Sequence, residues 1–392
     1  MTNILTINAG SSSIRFALFE CAGRPTRVLD GKMERIGSPD VCLTVHATGG
    51  TATQIDMNAS RGRGAVDSLV EWLQGSALPA PDAVGHRVVH GMLHTAPERV
   101  TAELLTELRR ITPYDPEHMP REIELIEALQ RAYSKVPHVA CFDTAFHRSM
   151  PGVATQLPIP RRYAHKGVQR YGFHGLSYTF LMQELTRIAG VAAGCGRVIL
   201  AHLGSGASLA AVQGGRCIDT SMGFTPASGL VMGTRSGDLD PGLMSFLAHV
   251  ESMNAEQFQT MVNHESGLLG VAETSGDVRD LLDRELEDPR AREALALFCY
   301  QAKKWIGSFA AVLGGVDTLV FAGGIGENAA PLRRRICDGL EFLGIEIDEL
   351  KNQRNAAQIS PDTGAVAVRV IHTDEEIIIA DLTAGLLGET RK

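Results

Sequence analysis

Short apolar runs alternate with amphipathic stretches along the whole chain, the pattern of an α/β protein. Ile4–Ile7 and Ile14–Phe19 are β-rich runs separated by the small polar loop Asn8-Ala9-Gly10-Ser11-Ser12-Ser13, which predicts a hairpin with a hydroxyl-rich turn. Ala83–His90 predicts a strand ending at Gly91. Leu104, Leu105 and Leu108 in 101–111, and Ile123, Ile126 and Leu129 in 121–133, have helical spacing. Val136–Phe142 predicts a strand running into Asp143-Thr144-Ala145-Phe146-His147, and the Pro- and Arg-rich segment from Pro151 predicts a long connection. Val198–Leu203, the loop Gly204-Ser205-Gly206-Ala207-Ser208 and Leu209–Val212 repeat the plan of the N-terminal hairpin, which suggests two halves built on one supersecondary unit. Thr318–Ala322 predicts a strand feeding Gly323-Gly324-Ile325-Gly326-Glu327-Asn328, with a helix holding Leu332, Ile336 and Leu340 beyond it. Val366–Ile371 predicts a last strand, and Ile377–Leu387 a last helix.

Composition narrows the class. The 392 residues are 44% hydrophobic and 21% charged, close to the globular average, which excludes wholesale disorder. A net charge of −8 argues against a nucleic-acid or membrane-surface partner but leaves an anionic substrate to local arginines. The seven cysteines form no C-x-x-C pair, so zinc ribbons and thioredoxin chemistry are disfavoured, and their scatter fits a reducing compartment. The N-terminus has no signal-peptide pattern and no apolar stretch reaches about 18 residues, so a cytoplasmic protein with no membrane partner is expected.

The candidate chemistry sits at strand ends. Gly204-x-Gly206 and Gly323-Gly324-x-Gly326 each follow a strand, where glycine lets backbone N–H groups approach a phosphate; each alone also fits a plain tight turn. Neither is a Walker A loop or a framed G-x-G-x-x-G. Arg87, inside an apolar strand, and Arg235, in a loop of small residues, suit bidentate binding of a carboxylate or phosphoryl group, or a structural ion pair. Asp143 and Glu375 follow strands and could hold a hard cation or orient a reactant, or serve as helix caps. His174 lies between glycines in Tyr171-Gly172-Phe173-His174-Gly175, and His202 stands before the Gly204 loop.

Taken together, these segments resemble the acetate kinase family of the acetate and sugar kinase–actin superfamily. The resemblance runs nearly end to end, through the opening Asn8–Ser13 loop, Gly85-His86-Arg87-Val88-Val89-His90-Gly91, Phe142–His147, Tyr171–Gly175, Asp219–Pro226, Met232–Arg235, Ser266–Gly270 and Gly324–Asn328. It implies a two-domain, duplicated ribonuclease H-like fold with an interdomain active-site cleft, residues 1–148 plus 375–392 forming the N-terminal domain and 149–374 the nucleotide-binding one. It implies Mg2+-dependent (or Mn2+-dependent), reversible phosphoryl transfer from ATP to acetate, with propionate or another short-chain carboxylate as the alternative acceptor, in a homodimer.

By the same resemblance, Asn8 and Glu375 bind the metal, Arg87 holds the substrate carboxylate, Asp143 is the catalytic acid, and His174 and Arg235 stabilise the transferring group. Val89, Tyr114, Phe173 and Pro226 line the acyl pocket. Arg15, His202, Leu203, Gly204, Ser205 and Gly206 meet the nucleotide phosphates, while Asp277, Val278, Arg279, Gly324, Ile325, Gly326, Glu327 and Asn328 form the adenosine pocket. The chain departs from the family at Arg15 (usually lysine), Tyr114 (leucine), Asp115 (histidine), Leu176 and Tyr178 (threonine and histidine), and Ser205 and Asp374 (asparagines).

Overall fold

A computed structural model describes residues 2–10, 13–34, 36, 41–47, 51–56, 64–76 and 78–389. The chain divides into two compact units, Met1–Ala145 with Asp374–Lys392, and Phe146–Thr373.

The first unit is built on β1 (Thr2–Ala9), β2 (Ser13–Cys21), β3 (Thr26–Glu34), β4 (Cys42–Ala47), β5 (Thr53–Asp56), β6 (Ala83–Val88), β7 (Glu98–Arg99) and β8 (His138–Phe142). They form one sheet in the order β5-β4-β3-β2-β1-β6-β8-β7. β1 to β5 pair as an antiparallel meander, whereas β1, β6 and β8 run parallel. Side chains alternate across a strand, so β1 sends Leu5 and Ile7 to one face, against Leu69, Leu125 and Leu129, and Ile4 to the other, against Ala380. That second face receives the C-terminal helix Glu375–Glu389. Gly85 makes this seating possible: a Cβ there would lie 2.4 Å from Thr383 Oγ1 and 2.7 Å from Ile379 Cγ2.

The second unit holds β9 (Arg197–Leu203), β10 (Ala207–Gln213), β11 (Arg216–Thr220), β12 (Thr318–Ala322) and β13 (Ala367–Val370), in the order β11-β10-β9-β12-β13. β9 to β11 are antiparallel, while β9, β12 and β13 are parallel. This is the plan of β3-β2-β1-β6-β8, so the repeat seen in the two hairpins extends to a five-strand sheet in each unit. Leu181 and Leu185 of the helix Gly175–Ala189 pack on Val198, Leu200 and Val320. The helix Pro289–Leu313 packs on β9 and β10; Asp288 caps its start and Gly314, with φ +69°, ends it.

Some elements differ from expectation. The β6 strand stops at Val88, two residues short of His90. Gly323–Asn328 is itself a short helix, and the next, Ala330–Cys337, ends before Leu340 because Gly339 turns the chain at φ +76°. The connection from Pro151 contains the single-turn helices Gly152–Thr155 and Arg161–Ala164. Ser11 and Ser12 of the opening loop lie outside the described residues.

Candidate active site

Parallel strands bring their carboxyl ends to one edge of a sheet, where α/β proteins build sites. In the first unit this places Asn8 near the end of β1, Arg87 near the end of β6 and Asp143 just after β8. Arg87 donates from Nη1 to the Ala9 carbonyl at 2.8 Å and from Nη2 to Asp143 Oδ2 at 2.9 Å. Asp143 is fully buried, and its own amide is tied to the Val88 carbonyl. Burial alone would lower the Arg87 pKa, but Asp143, Glu375 and Glu122 together lift it above the ordinary guanidinium value.

The Asn8 amide donates to Glu375 Oε2 at 2.8 Å and to Glu376 Oε1 at 3.1 Å. Burial raises the pKa of both acids; Arg87 works against it at Glu375 and Arg15 at both. Arg15 faces Asn8 across the β1–β2 ladder and is exposed.

Val89 is buried, and its amide donates to Glu122 Oε2 at 2.9 Å. Tyr114 ends a one-turn 3-10 helix, half-buried, with its ring tilted onto His90 at 5.8 Å. Burial pushes His90 down to about 4, partly offset by Asp115. Asp115 and His118 form a buried pair at 2.9 Å, which holds Asp115 below the usual carboxylate range despite the cost of its burial.

In the second unit the strand ends carry backbone and neutral donors. The loops at 204–206, 232–235, 276–279 and 323–328 meet. The Gly233 amide donates to the Ser205 carbonyl at 3.0 Å, a Cβ on Gly276 would come within 2.5 Å of the Gly233 oxygen, and one on Gly204 would lie 3.9 Å from the Gly324 nitrogen. Gly323 has φ +74°, and a Cβ there would strike the Leu203 carbonyl at 2.7 Å. His174 adopts a left-handed conformation (φ 60°) at the start of its helix, an uncommon and strained state for a residue with a side chain. Its Nδ1 is hydrogen-bonded to Ser208 Oγ at 2.8 Å, and Ser208 also meets the Tyr178 hydroxyl at 2.5 Å. The His174 ring stacks on His202 at 4.2 Å, and His202 Nδ1 bonds Ser177 at 2.8 Å.

Gly206 marks the point of convergence: its missing Cβ would sit 3.4 Å from His174 Nε2 and 3.7 Å from Arg235 Nη1. Arg235 donates to the Pro226 carbonyl at 3.1 Å. The Phe173 carbonyl bonds His147 Nε2 at 2.9 Å, and Phe173 and Leu203 are buried.

Four residues expected at the adenosine pocket also make local contacts. Asp277 caps the helix Val278–Arg284 and pairs with Arg279, with Val278 buried behind them. The Glu327 carboxylate accepts from the Gly323 and Thr373 amides and pairs with His372, bracing the loop. Asn328 donates to the Gly324 carbonyl at 3.0 Å, and Ile325 is half-buried. Sequence reasoning missed Glu122, which reads as an ordinary first-turn helix acid, and also Ser177, Ser208 and Arg333. Arg333 is fully buried and spends its guanidinium on the Gly326, Glu327 and Asn352 carbonyls and the Asn352 and Asn355 side chains.

Known proteins share this fold. A sequence model of the acetokinase family matches residues 3–381. The chain is 42% identical to an acetate kinase of Rhodopseudomonas palustris, over 96% of each chain. It is also 42% identical to a propionate kinase of Citrobacter rodentium, over 99% of this chain and 98% of the other. The crystal structure of Porphyromonas gingivalis acetate kinase superposes with a TM-score of 0.87 at 34% identity, covering 99% of this chain and all of that one. On these matches, the chain belongs to the acetokinase family.

Proposed function

We propose that the chain transfers the γ-phosphoryl group of ATP to acetate, giving acetyl phosphate and ADP, and runs the reverse reaction. The observation that carries this reading is the convergence of His174 Nε2 and Arg235 Nη1 on the glycine loop at Gly206, an arrangement made for an anionic group. Unit one binds the acceptor, with Arg87 on its carboxylate and Val89 and Tyr114 beside its acyl group. Unit two, which also holds Phe173 and Pro226, binds the nucleotide. Propionate is the second acceptor to test, favoured by the similarity to the Citrobacter rodentium enzyme.

A carboxylate acceptor is already ionised at pH 7, so no general base is needed, and catalysis reduces to alignment and neutralisation of charge. Arg87 fixes the acceptor, while His174 and Arg235 face the equatorial phosphoryl oxygens. Asp143 already accepts from Arg87, so its part is to hold that guanidinium in place, not to remove a proton.

Among the described residues no three His, Cys, Asp or Glu side chains form a ready-made metal cage. Mg2+ held mainly through nucleotide phosphates and water needs only one or two protein oxygens, and the hard donors Asn8 and Glu375 fit that requirement. Bound there, the ion would neutralise phosphate charge.

The protein acts as a homodimer on this reading. The helix Gly242–Val250 has no buried residue, and Phe246 (61% exposed) and Val250 (59%) are uncovered. Sedimentation of wild type and Phe246→Asp tests it: a monomeric wild type defeats the dimer. No helix among the described residues is long and apolar enough to cross a membrane.

A hydroxamate assay with ATP, Mg2+ and a panel of acetate, propionate and butyrate tests the function. Acetyl phosphate should form fastest, and no product from any carboxylate would overturn the reading.

A further inference from the structure

Glu122, on the helix Met119–Ala132, is 2% exposed, and buried carboxylates ordinarily have a full set of partners. Only half of this one is satisfied. Oε2 accepts from the Val89 amide at 2.9 Å. Oε1 makes no hydrogen bond and stands 3.9 Å from Arg87 Nη1, too far for a hydrogen bond and close enough for charge. Arg87 Nε is likewise buried without a hydrogen bond, while Nη1 and Nη2 are engaged by Ala9 and Asp143. One side chain thus touches both the backbone and the guanidinium of the segment assigned to the acceptor.

We propose that Glu122 is a positioning residue of the acceptor site: neutral, it pins the Val89 amide and leaves the Arg87 charge to the substrate carboxylate; ionised, it competes with that carboxylate for Arg87. This rests on the reading that Arg87 holds the acceptor.

The groups facing Glu122 are Arg87 on β6, Asp143 after β8 and Asp115 ahead of its own helix. Burial raises its pKa, Arg87 and the Val89 amide lower it, and Asp115 and Asp143 raise it again, for a net value of about 8. At neutral pH the carboxyl is therefore protonated and still accepts from Val89. Above that value it ionises, and acceptor binding weakens. His90, at about 4, and Asp115, below the usual carboxylate range, do not titrate in this window.

The test is steady-state kinetics of the full chain with acetate, ATP and Mg2+ between about pH 7 and about pH 9. The wild-type KM for acetate rises around the Glu122 midpoint, by about tenfold one unit above it, while the KM for ATP stays level. Glu122→Gln loses the rise. Glu122→Ala raises the acetate KM at every pH because the Val89 amide loses its acceptor, a defect the Gln variant repairs. A level wild-type profile overturns the proposal, as does a Gln variant with the wild-type rise; Glu122→Met replaces Gln if that variant does not fold. Arg87→Ala separates the two readings. An unchanged acetate KM in that variant defeats the acceptor assignment itself, whereas a raised KM with an unaltered Gln pH profile defeats the Glu122 proposal alone.

Discussion

The two units share a five-strand plan and load its edge with opposite chemistry. At the ends of β1, β6 and β8 stand Asn8, Arg87 and Asp143, joined by Glu375 and Glu376 from the C-terminal helix and by Glu122. At the equivalent ends of β9, β12 and β13 stand His202, Gly323 and the segment through Thr373, where acids are few and glycines let backbone N–H groups reach outward. The fold therefore supplies the place and the residues choose the reactant. On the proposed reading, a small ionised acceptor is fixed by one largely buried cation whose charge is balanced by carboxylates. A polyphosphate is better met by many weak backbone donors, because a comparable cation cluster would need its own counter-charges.

That contrast predicts how each side fails, and the largest failure belongs to Arg87. On the proposed reading, Arg87→Ala removes the acceptor cation, and it leaves the buried Asp143 without its guanidinium partner. Losing one partner of such a pair costs about 3–5 kcal/mol, so kcat/KM for acetate should fall by two to three decades or more while the ATP KM barely moves. An equal loss in ATP binding would erase the division of labour between the units.

On the proposed reading, Arg235→Ala and His174→Ala act on the transferring group. Each should lower kcat by about two to three decades, with smaller effects on either KM. Turnover within threefold of wild type for both variants would remove them from the chemistry.

Gly323→Ala tests the backbone side directly. Its positive φ and the contact at 2.7 Å force the loop to shift. Strain of about 1–3 kcal/mol corresponds to a rise of about five- to 150-fold in the ATP KM, without change in that for acetate. An unaltered ATP KM would mean that the glycine serves only the turn.

Much of this contrast was legible from residue order. The two hairpins, the strand ends and the glycine loops lie in continuous short patterns, which place His202 and Gly323 near element boundaries, whereas the expected strand overran Arg87 to His90 and the expected loop began at Asn8, which lies within β1. The strands β3 to β5 were not legible, since their polar residues alternate with few apolar ones. The partners of Arg87 and His174 were not legible either. Glu122 meets Val89 across 33 positions and Ser208 meets His174 across 34, contacts made only when strands and helices pack. Single positions inside an amphipathic helix carry no mark of which buried strand end they will face.

A smaller effect concerns stability. In unit one, His86 Nε2 and His138 Nδ1 are 2.9 Å apart, and both residues are buried. Burial, aided at His86 by its neighbour, pushes His86 well below 6.5 and lowers His138 too. Below the ordinary histidine pKa the unfolded chain takes up protons that the folded pair refuses, so stability present above that pH is lost as pH falls. The slope approaches about 1.4 kcal/mol per pH unit for each excluded proton. Urea midpoints at about pH 7.5 and about pH 5.5 measure it, and His86→Gln should flatten the difference. A wild-type midpoint insensitive to this interval would rule the pair out as an acid-labile element; the second unit has no such buried pair among its described residues.

The smallest effect concerns acceptor size. Tyr114 stands where the family resemblance implies a leucine, and its ring lies on His90, the residue after Val89. This places the phenol beside the segment that follows Arg87 and Val89, and a phenol is bulkier than an isobutyl group. A methylene that must fit such a wall is worth about 1–3 kcal/mol, so acetate should be preferred over propionate by about tenfold, and butyrate should react poorly. Tyr114→Leu should narrow the acetate-to-propionate ratio of kcat/KM several-fold by relieving propionate, with the ATP KM unchanged. A wild type that already prefers propionate would turn the Tyr114 ring away from the acceptor and assign the size limit to another residue. The proposed roles of Arg87, His174 and Arg235 in transfer would be untouched, because none of the three depends on the length of the acyl chain.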